Sequence, residues 1–486
     1  MALSDSQVEK LIKEVSSEID RGGQKTWSGY SATTTAPSYG NAPVAGGNEG
    51  VFENINDAID AAARAQKELM KFTMDQREQF VSAMRQSARN NAEKLAIMAH
   101  NETGFGRVED KIAKNLLAAN KTPGTEDLHA QAFTGDNGMT LVEMAPFGVI
   151  GAITPSTNPT ATIINNGIGF VAAGNAGVFN PHPAAKRATQ ETIRILNRAI
   201  VAAGGPANLL TAPLEPTMET SGVIASHPAI RLMVVTGGEG VVKFAMKSGK
   251  RCLAAGPGNP PVVVDDTANI PKAAADIVKG AGFDNCILCI AEKEILAFDS
   301  ITDQLIDCMV KEGCYLAKGD EIDKLMAKTI EKNKEGKYVP NKKLVGKNAS
   351  VILGECGIPV TKDYKVVICE VPFEHPFVHC EMLMPVVPIS RVHTIDEAVE
   401  KAVIAEAGCH HTAMMHSENV TNLTKMAKAI DTTIFVKNAP SYAGLGFGGE
   451  GYATLTIATP TGEGLSSAKN FTRSRRCTIV GSFHIV

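Results

Sequence analysis

The chain has 486 residues, 44% apolar and 21% charged, and 48 basic residues against 52 acidic ones leave a formal charge of −4. That length suits two or three domains, and a balanced charge without any Lys/Arg-rich run excludes a nucleic-acid binder built on a basic face. The longest apolar candidate, residues 147–179, is interrupted by Pro155, Asn158, Pro159, Asn165, Asn166 and Asn175, which excludes a membrane span; the N-terminus lacks a secretory layout, and ten cysteines in so long a chain fit a reducing, intracellular compartment.

In chain order, Val8, Leu11, Ile12, Val15 and Ile19 recur at helical spacing, with Glu9, Lys10, Lys13, Glu14 and Glu18 on the other face. The pattern predicts an amphipathic helix over residues 1–22, closed off by Gly22-Gly23. Residues 23–50, rich in Ser, Thr, Ala, Gly and Pro, have no hydrophobic period and read as a flexible linker. Two readings of the helix stay open: a terminal helix docked on its own protein, or a docking peptide for another protein's groove. The body begins near Val51. A helix runs from Asn56 through Ala62 and Ala65 to Leu69, and further helical pattern continues from Arg77 to His100. Asp136-Asn137-Gly138 between strand-like residues predicts a hairpin within 133–143. Strands are then expected at Val149–Thr154, Ala176–Asn180, Leu209–Ala212, Leu232–Thr236 and Val262–Asp265, with helices at Ala184–Ala203 and Glu239–Lys247 among them. This alternation implies a parallel α/β sheet. A second α/β segment covers residues 273–434, and the strand-like tail, 471–486, is expected to pair with the hairpin.

The segment Gly282-Phe283-Asp284-Asn285-Cys286-Ile287-Leu288-Cys289-Ile290-Ala291-Glu292-Lys293 carries two cysteines three apart. A redox dithiol, a zinc knuckle, a single nucleophilic thiolate and a pair of buried structural cysteines all fit it on residues alone. Thr236-Gly237-Gly238-Glu239-Gly240 follows a strand and opens a helix, the setting of a phosphate-binding turn, although neither G-x-G-x-x-G nor the P-loop pattern is present. Ala254-Ala255-Gly256-Pro257-Gly258-Asn259, the Thr154–Pro159 loop and Gly446–Gly451 are tight connections with either a structural or a ligand-mouth meaning. Cys409-His410-His411 and His416 lack the carboxylates and spacing of a metal site, so no metal is expected.

Taken in order, these segments resemble the aldehyde dehydrogenase superfamily and, within it, the CoA-acylating propionaldehyde and acetaldehyde dehydrogenases of bacterial microcompartments. The resemblance runs from Val51 to Val486. It rests on NETGFGRVEDK (Asn101–Lys111), TPSTNPTATIINN (Thr154–Asn166), FNPHPAAK (Phe179–Lys186), AAGPGNPPVVVDDTA (Ala254–Ala268), FDNCILCIAEKE and FVKNAPSYAGLGFGGEG (Phe435–Gly451). It implies an α/β fold of aldehyde dehydrogenase type. The expected parts are a Rossmann-type cofactor domain (51–131 and 147–256), an α/β catalytic domain (257–455) and a small β oligomerisation element (132–146 and 456–486) of a homodimer or homotetramer. Residues 1–22 become the helix that directs such enzymes to shell proteins, placing the chain in the cytoplasm inside a microcompartment.

Carried over by residue, the nucleophile falls on Cys289, which forms a thiohemiacetal and then a thioester. The oxyanion donors are the Cys289 amide and a side chain of the TPSTNPT loop, Thr157 by strict register or Asn158 by chemistry. Thr236, Gly237 and Gly238 correspond to the turn beneath the phosphates of NAD, Asn180, Pro181 and His182 to the loop beside the adenosine ribose, and Glu381 to the glutamate on the nicotinamide ribose. Ala255 occupies the slot of the glutamate that activates water in acid-forming relatives, so coenzyme A is the implied acyl acceptor and His411 the base for its thiol. The implied function is oxidation of a short aldehyde, propanal or acetaldehyde, by NAD and CoA to acyl-CoA. A hydrolytic aldehyde dehydrogenase is the alternative that Ala255 opposes. A catalytically silent assembly subunit is opposed by Cys289, Thr236-Gly237-Gly238 and Glu381.

Overall fold

The computed structural model describes residues 49–485, so the helix expected over 1–22 and all of the linker except Glu49 and Gly50 lie outside the described residues. The described chain forms two compact units. One comprises the residues up to Met98, Ile112–Ala255 and the chain from Tyr452 onward; the other comprises Ala99–Lys111 and Gly256–Gly451.

In the first unit, helix Ile55–Leu69 buries Ile55, Ala58, Ile59, Ala62, Ala65 and Leu69 along one stripe. Asn54 caps it by accepting from the Asn56 amide at 2.8 Å. The single helical stretch expected over 77–100 is two helices, Met74–Asn90 and Ala92–Thr103. The first opens with a capping box between Thr73 and Gln76. It stops where the Asn91 side chain turns back to donate to the Ser87 carbonyl, a local bond that competes with the helix.

The sheet of this unit is wholly parallel, in the order Val51–Phe52, Leu210–Pro213, Ala176–Asn180, Val149–Ile153, Ile230–Thr236, Arg251–Ala255. All the strands expected in this region occur, with their ends moved by a residue or two. From Val149–Ile153 the chain winds outward in one direction, then returns to lay Ile230–Thr236 on the other side. Beyond the carboxyl ends of those two neighbours lies the crevice where doubly wound sheets bind ligands. Helix Pro159–Ala172 is buried at every residue. It has no β-carbon at Gly169, where one would come within 2.7 Å of the Phe471 ring. The Asn175 side chain donates to the Phe471 carbonyl at 2.9 Å, fixing the last segment of the chain. From there Thr472–Val480 pairs antiparallel with Gly138–Pro146, which pairs with Gln131–Gly135, so the tail does join the hairpin.

The second unit has a seven-stranded parallel sheet, ordered Cys314–Ala317, Val366–Glu370, Val386–Val392, Glu294–Phe298, Pro261–Val264, Thr412–His416, Ile434–Lys437. Its inner strands are near-continuous apolar runs, as strands covered on both faces must be. Four adjacent strands are entered by loops that carry Glu381, Cys289, Gly258 and His411 respectively. Because the strands are parallel, their amino ends share one edge, and residues far apart in sequence meet there. No helix among the described residues is long and apolar enough to cross a membrane.

Candidate active site

The loop before Cys289 has a rare backbone. Asp284, Asn285 and Cys286 are consecutive non-glycine residues with positive φ (47°, 54° and 62°). Asp and Asn tolerate this region, whereas cysteine pays about 1–2 kcal/mol for it. A buried web holds the turn. The Asp284 carboxylate accepts from the Arg107 amide at 2.8 Å and from Lys111 Nζ at 3.1 Å, and its own amide donates to Asp110 at 2.7 Å. Asn285 accepts from Arg107 Nε at 2.9 Å and donates to the Gly346 carbonyl and to Asn348. Gly106 is obligatory, since a β-carbon there would lie 1.8 Å from an Asp284 oxygen. Thus the NETGFGRVEDK segment, noticed in the sequence only through resemblance, braces the cysteine loop.

Beyond the turn, Cys289 is partly exposed whereas Cys286 is buried. The Cys286 thiol donates to the Glu292 carbonyl at 3.4 Å and accepts from Lys293 Nζ at 3.4 Å, which makes it an anchor. Glu292 in turn takes the Ser441 amide and hydroxyl at 2.8 and 2.9 Å; burial pushes its carboxyl up to about 7. Glu292, Lys293, Arg107, Asp110, Lys111 and Asp284 were not singled out by the sequence reading. The only signal for them was their place inside the two quoted segments.

Gly258 is the point where the expected catalytic residues of this unit meet. A β-carbon on it would come within 2.9 Å of both the Cys289 carbonyl oxygen and the His411 ring, so only glycine lets these two groups approach. Its amide donates to Glu381 at 3.4 Å. Burial, and next the Glu381 carboxylate, push the Cys289 thiol up to about 12, with Lys293 acting the other way. Burial, helped by Lys293, brings His411 down to about 4, so its imidazole is neutral near pH 7. One ring nitrogen, Nδ1, meets Thr412 Oγ1 at 2.9 Å, while the buried Nε2 has no partner among the described residues. The loop of a protonated thiol and a neutral, unengaged imidazole thus converge on one glycine.

The remaining expected residues belong to the first unit. Asn158 caps the buried helix Pro159–Ala172. Its Oδ1 accepts from Lys114 Nζ at 2.5 Å, which assigns Nδ2 as the donor end of the amide. One Nδ2 hydrogen is directed to Thr157 Oγ1 at 3.3 Å. Thr236 closes its strand and contacts Thr456 Oγ1 at 3.0 Å, and the Gly237 amide donates to the Ala255 carbonyl. Gly238 is the N-cap of helix Glu239–Met246 with no side-chain cap of its own. A β-carbon at Gly238 or Gly240 would meet nothing within 4 Å. Such open space over a helix N-terminus at the switch point fits the phosphates of a dinucleotide. Asn180 is buried with its amide spent on Thr217, Ser221 and Thr220; Pro181 is buried behind it, and the exposed His182 accepts from the Ala184 amide.

A doubly wound sheet with an open phosphate turn, in a chain that also brings a cysteine loop and a neutral histidine together at one glycine, defines the class of dinucleotide-dependent oxidoreductases working through a thiol. The chain belongs to the aldehyde dehydrogenase family, which residues 28–466 match. It is 50% identical over 443 residues to the acetaldehyde dehydrogenase (acetylating) of Salmonella typhimurium, covering 90% of this chain and 94% of that one. It superposes with a TM-score of 0.88 on a propionaldehyde dehydrogenase from the Clostridium phytofermentans fucose utilisation bacterial microcompartment, at 50% identity over 90% of this chain and all of that one. The same score, at 49% identity and the same coverage, relates it to Rhodopseudomonas palustris propionaldehyde dehydrogenase with bound CoA and an acylated cysteine.

Proposed function

We propose that the chain is an NAD-dependent, CoA-acylating dehydrogenase of short aldehydes, propanal or acetaldehyde, working through a thioester on Cys289. The observation that carries this reading is that a partly exposed cysteine and a neutral His411 with an unengaged Nε2 both close on Gly258, where a β-carbon would come within 2.9 Å of the Cys289 carbonyl and of the His411 ring. NAD supplies a hydride acceptor and CoA a thiol acceptor. His411 takes the proton of the Cys289 thiol as sulfur bonds to the aldehyde carbon and releases it to solvent before the second half-reaction. Neutral again, it takes the proton of the incoming thiol and returns it to the Cys289 sulfur as the acyl group leaves. Asn158, rather than Thr157, is the side-chain donor to the oxyanion, because Lys114 fixes its amide with Nδ2 as the donor end. Thr236, Gly237 and Gly238 take the phosphates, Asn180, Pro181 and His182 flank the ribose, and Glu381 takes the nicotinamide ribose. Ala255 leaves no carboxylate at the slot of the water-activating base, so the acyl group passes to a thiol.

The microcompartment origin of one relative supports placing this enzyme, with its aldehyde, inside such a compartment in the cytoplasm. Residues 1–22 then act as the helix that engages shell proteins. The exposed outer strand Gln131–Gly135 of the three-stranded sheet, with Phe133 57% exposed, is the element through which the chain pairs into a dimer or tetramer.

Mixing enzyme, propanal and NAD should give NADH up to about one equivalent per site and then stall, and CoA should restore steady turnover. Sustained NADH and free acid without CoA would establish the hydrolytic alternative; no NADH in either mixture would establish the silent subunit.

A further inference from the structure

The Cys289 amide, an oxyanion donor in the proposed mechanism, belongs to the peptide that joins Leu288 to Cys289, and the other end of that peptide is held by a buried cation. Lys293 is 1% exposed. Its Nζ donates to the Cys286 carbonyl at 2.7 Å, the Leu288 carbonyl at 3.1 Å and Cys286 Sγ at 3.4 Å, so all three ammonium hydrogens are spent on residues 286–288. A peptide is planar and trans, and its C=O and N–H point in opposite directions. A bond that fixes the Leu288 C=O therefore fixes the direction of the Cys289 N–H. A charge-assisted bond to that oxygen also withdraws electron density from the nitrogen and makes the N–H a stronger donor. The Ala291 amide adds a second bond to the same carbonyl at 3.2 Å.

We infer that Lys293 is a positioning residue that aims and polarises the Cys289 amide toward the oxyanion through the shared Leu288–Cys289 peptide. The inference rests on Cys289 being the nucleophile. It goes beyond that reading in assigning the strength of the oxyanion hole to a side chain that touches neither substrate nor cofactor.

The test separates oxyanion support from thiol reactivity. Acylation of Cys289 by propanal passes through an oxyanion, whereas alkylation by iodoacetamide is a displacement without one. A loss of thiolate or a loosened loop slows both reactions together; a weakened oxyanion amide slows acylation alone. In Lys293→Met the ratio of the NADH burst rate to the alkylation rate should fall by about tenfold or more, on the scale of weakening one oxyanion donor. Lys293→Arg should recover most of that ratio and Lys293→Gln, a neutral donor, should fall between. If Lys293→Met does not fold, the Arg and Gln variants decide: a ratio for Gln equal to that for Arg overturns the inference, as does an unchanged ratio in Lys293→Met. Peptide mapping of wild-type enzyme treated with propanal and NAD keeps the two failures apart. An acyl group away from Cys289 removes the nucleophile assignment and the inference with it, whereas acyl-Cys289 with an unchanged ratio removes the inference alone.

Discussion

A thiol held at about 12 is a poor nucleophile near neutrality, and Cys289 is in that state through burial and the Glu381 carboxylate. In the proposed mechanism His411 makes the reactive form, and its imidazole is uncharged because burial opposes its protonation. Cys289→Ala should abolish acyl-CoA formation while leaving NAD binding intact. Cys286→Ser keeps a small hydrogen-bonding atom against Lys293 and the Glu292 carbonyl, and should retain most of the turnover. Steady-state NADH assays on both variants check this, and the opposite ranking would move the nucleophile to 286. At this scale the order of motifs was enough to single out Cys289, His411 and Glu381, which the fold gathers around Gly258. It was silent on Lys293 and Glu292, because a Glu-Lys-Glu run reads as solvated surface. Their burial depends on partners such as Ser441 that no local pattern points to.

Among the elements, the left-handed turn Asp284–Cys286 is the costly one, and it is offset by bonds with Arg107 and with the first turn of helix Val108–Lys121, which bears Asp110 and Lys111. Asp110 titrates above the ordinary carboxylate range. Burial, and next the charge of Asp284, raise its carboxyl from 3.8 to about 7. The folded state thus binds a proton that the unfolded chain releases. The stabilisation is complete below the unfolded value and is lost as pH rises through about 7. Between about pH 5 and 8 the wild type should lose melting temperature on this account. Asp110→Asn keeps an acceptor for the Asp284 amide but carries no charge. It should flatten the slope and melt a few degrees higher than wild type at pH 8, as scanning fluorimetry would show; Glu292, also near 7, leaves some slope in both proteins. An equally steep decline in Asp110→Asn would remove Asp110 from the account. The regular elements were readable from spacing: Ala176–Asn180 has the expected ends, and the Asp136–Gly138 turn forms its hairpin. The turn at 284–286 was not, since it contains no glycine and its braces stand more than 170 residues upstream.

For the whole molecule, the two sheets follow the strand–helix alternation, but the assignment of segments to units does not follow sequence order. Ala99–Lys111 joins the unit of the cysteine and the chain from Tyr452 joins the unit of the phosphate turn. Composition gives no boundary at either place, because the exchanged pieces are ordinary helix and strand. Val8, Leu11, Ile12, Val15 and Ile19, the apolar stripe expected in the N-terminal segment, form the docking face proposed for shell proteins. Deleting residues 1–22 should leave specific activity within about twofold of the full chain, raise solubility and abolish co-sedimentation with shells, the pattern expected when an apolar docking face is removed. Loss of activity on truncation would return the helix to the body of the enzyme.

The exchange of segments also sets the order in which this chain can mature on the ribosome. Arg107 meets Asp284 across 177 residues, and Asn175 meets Phe471 across 296. When the first parallel sheet has been synthesised, the strand that pairs with Gly138–Pro146 has not yet been made, and that edge offers unsatisfied backbone groups to any neighbour. Nor can Arg107 and Lys111, at the start of helix Val108–Lys121, engage their carboxylate until the cysteine loop has emerged. Neither unit closes during elongation; both wait for distant chain, so the enzyme acquires its native contacts late and is most exposed to aggregation just before synthesis ends.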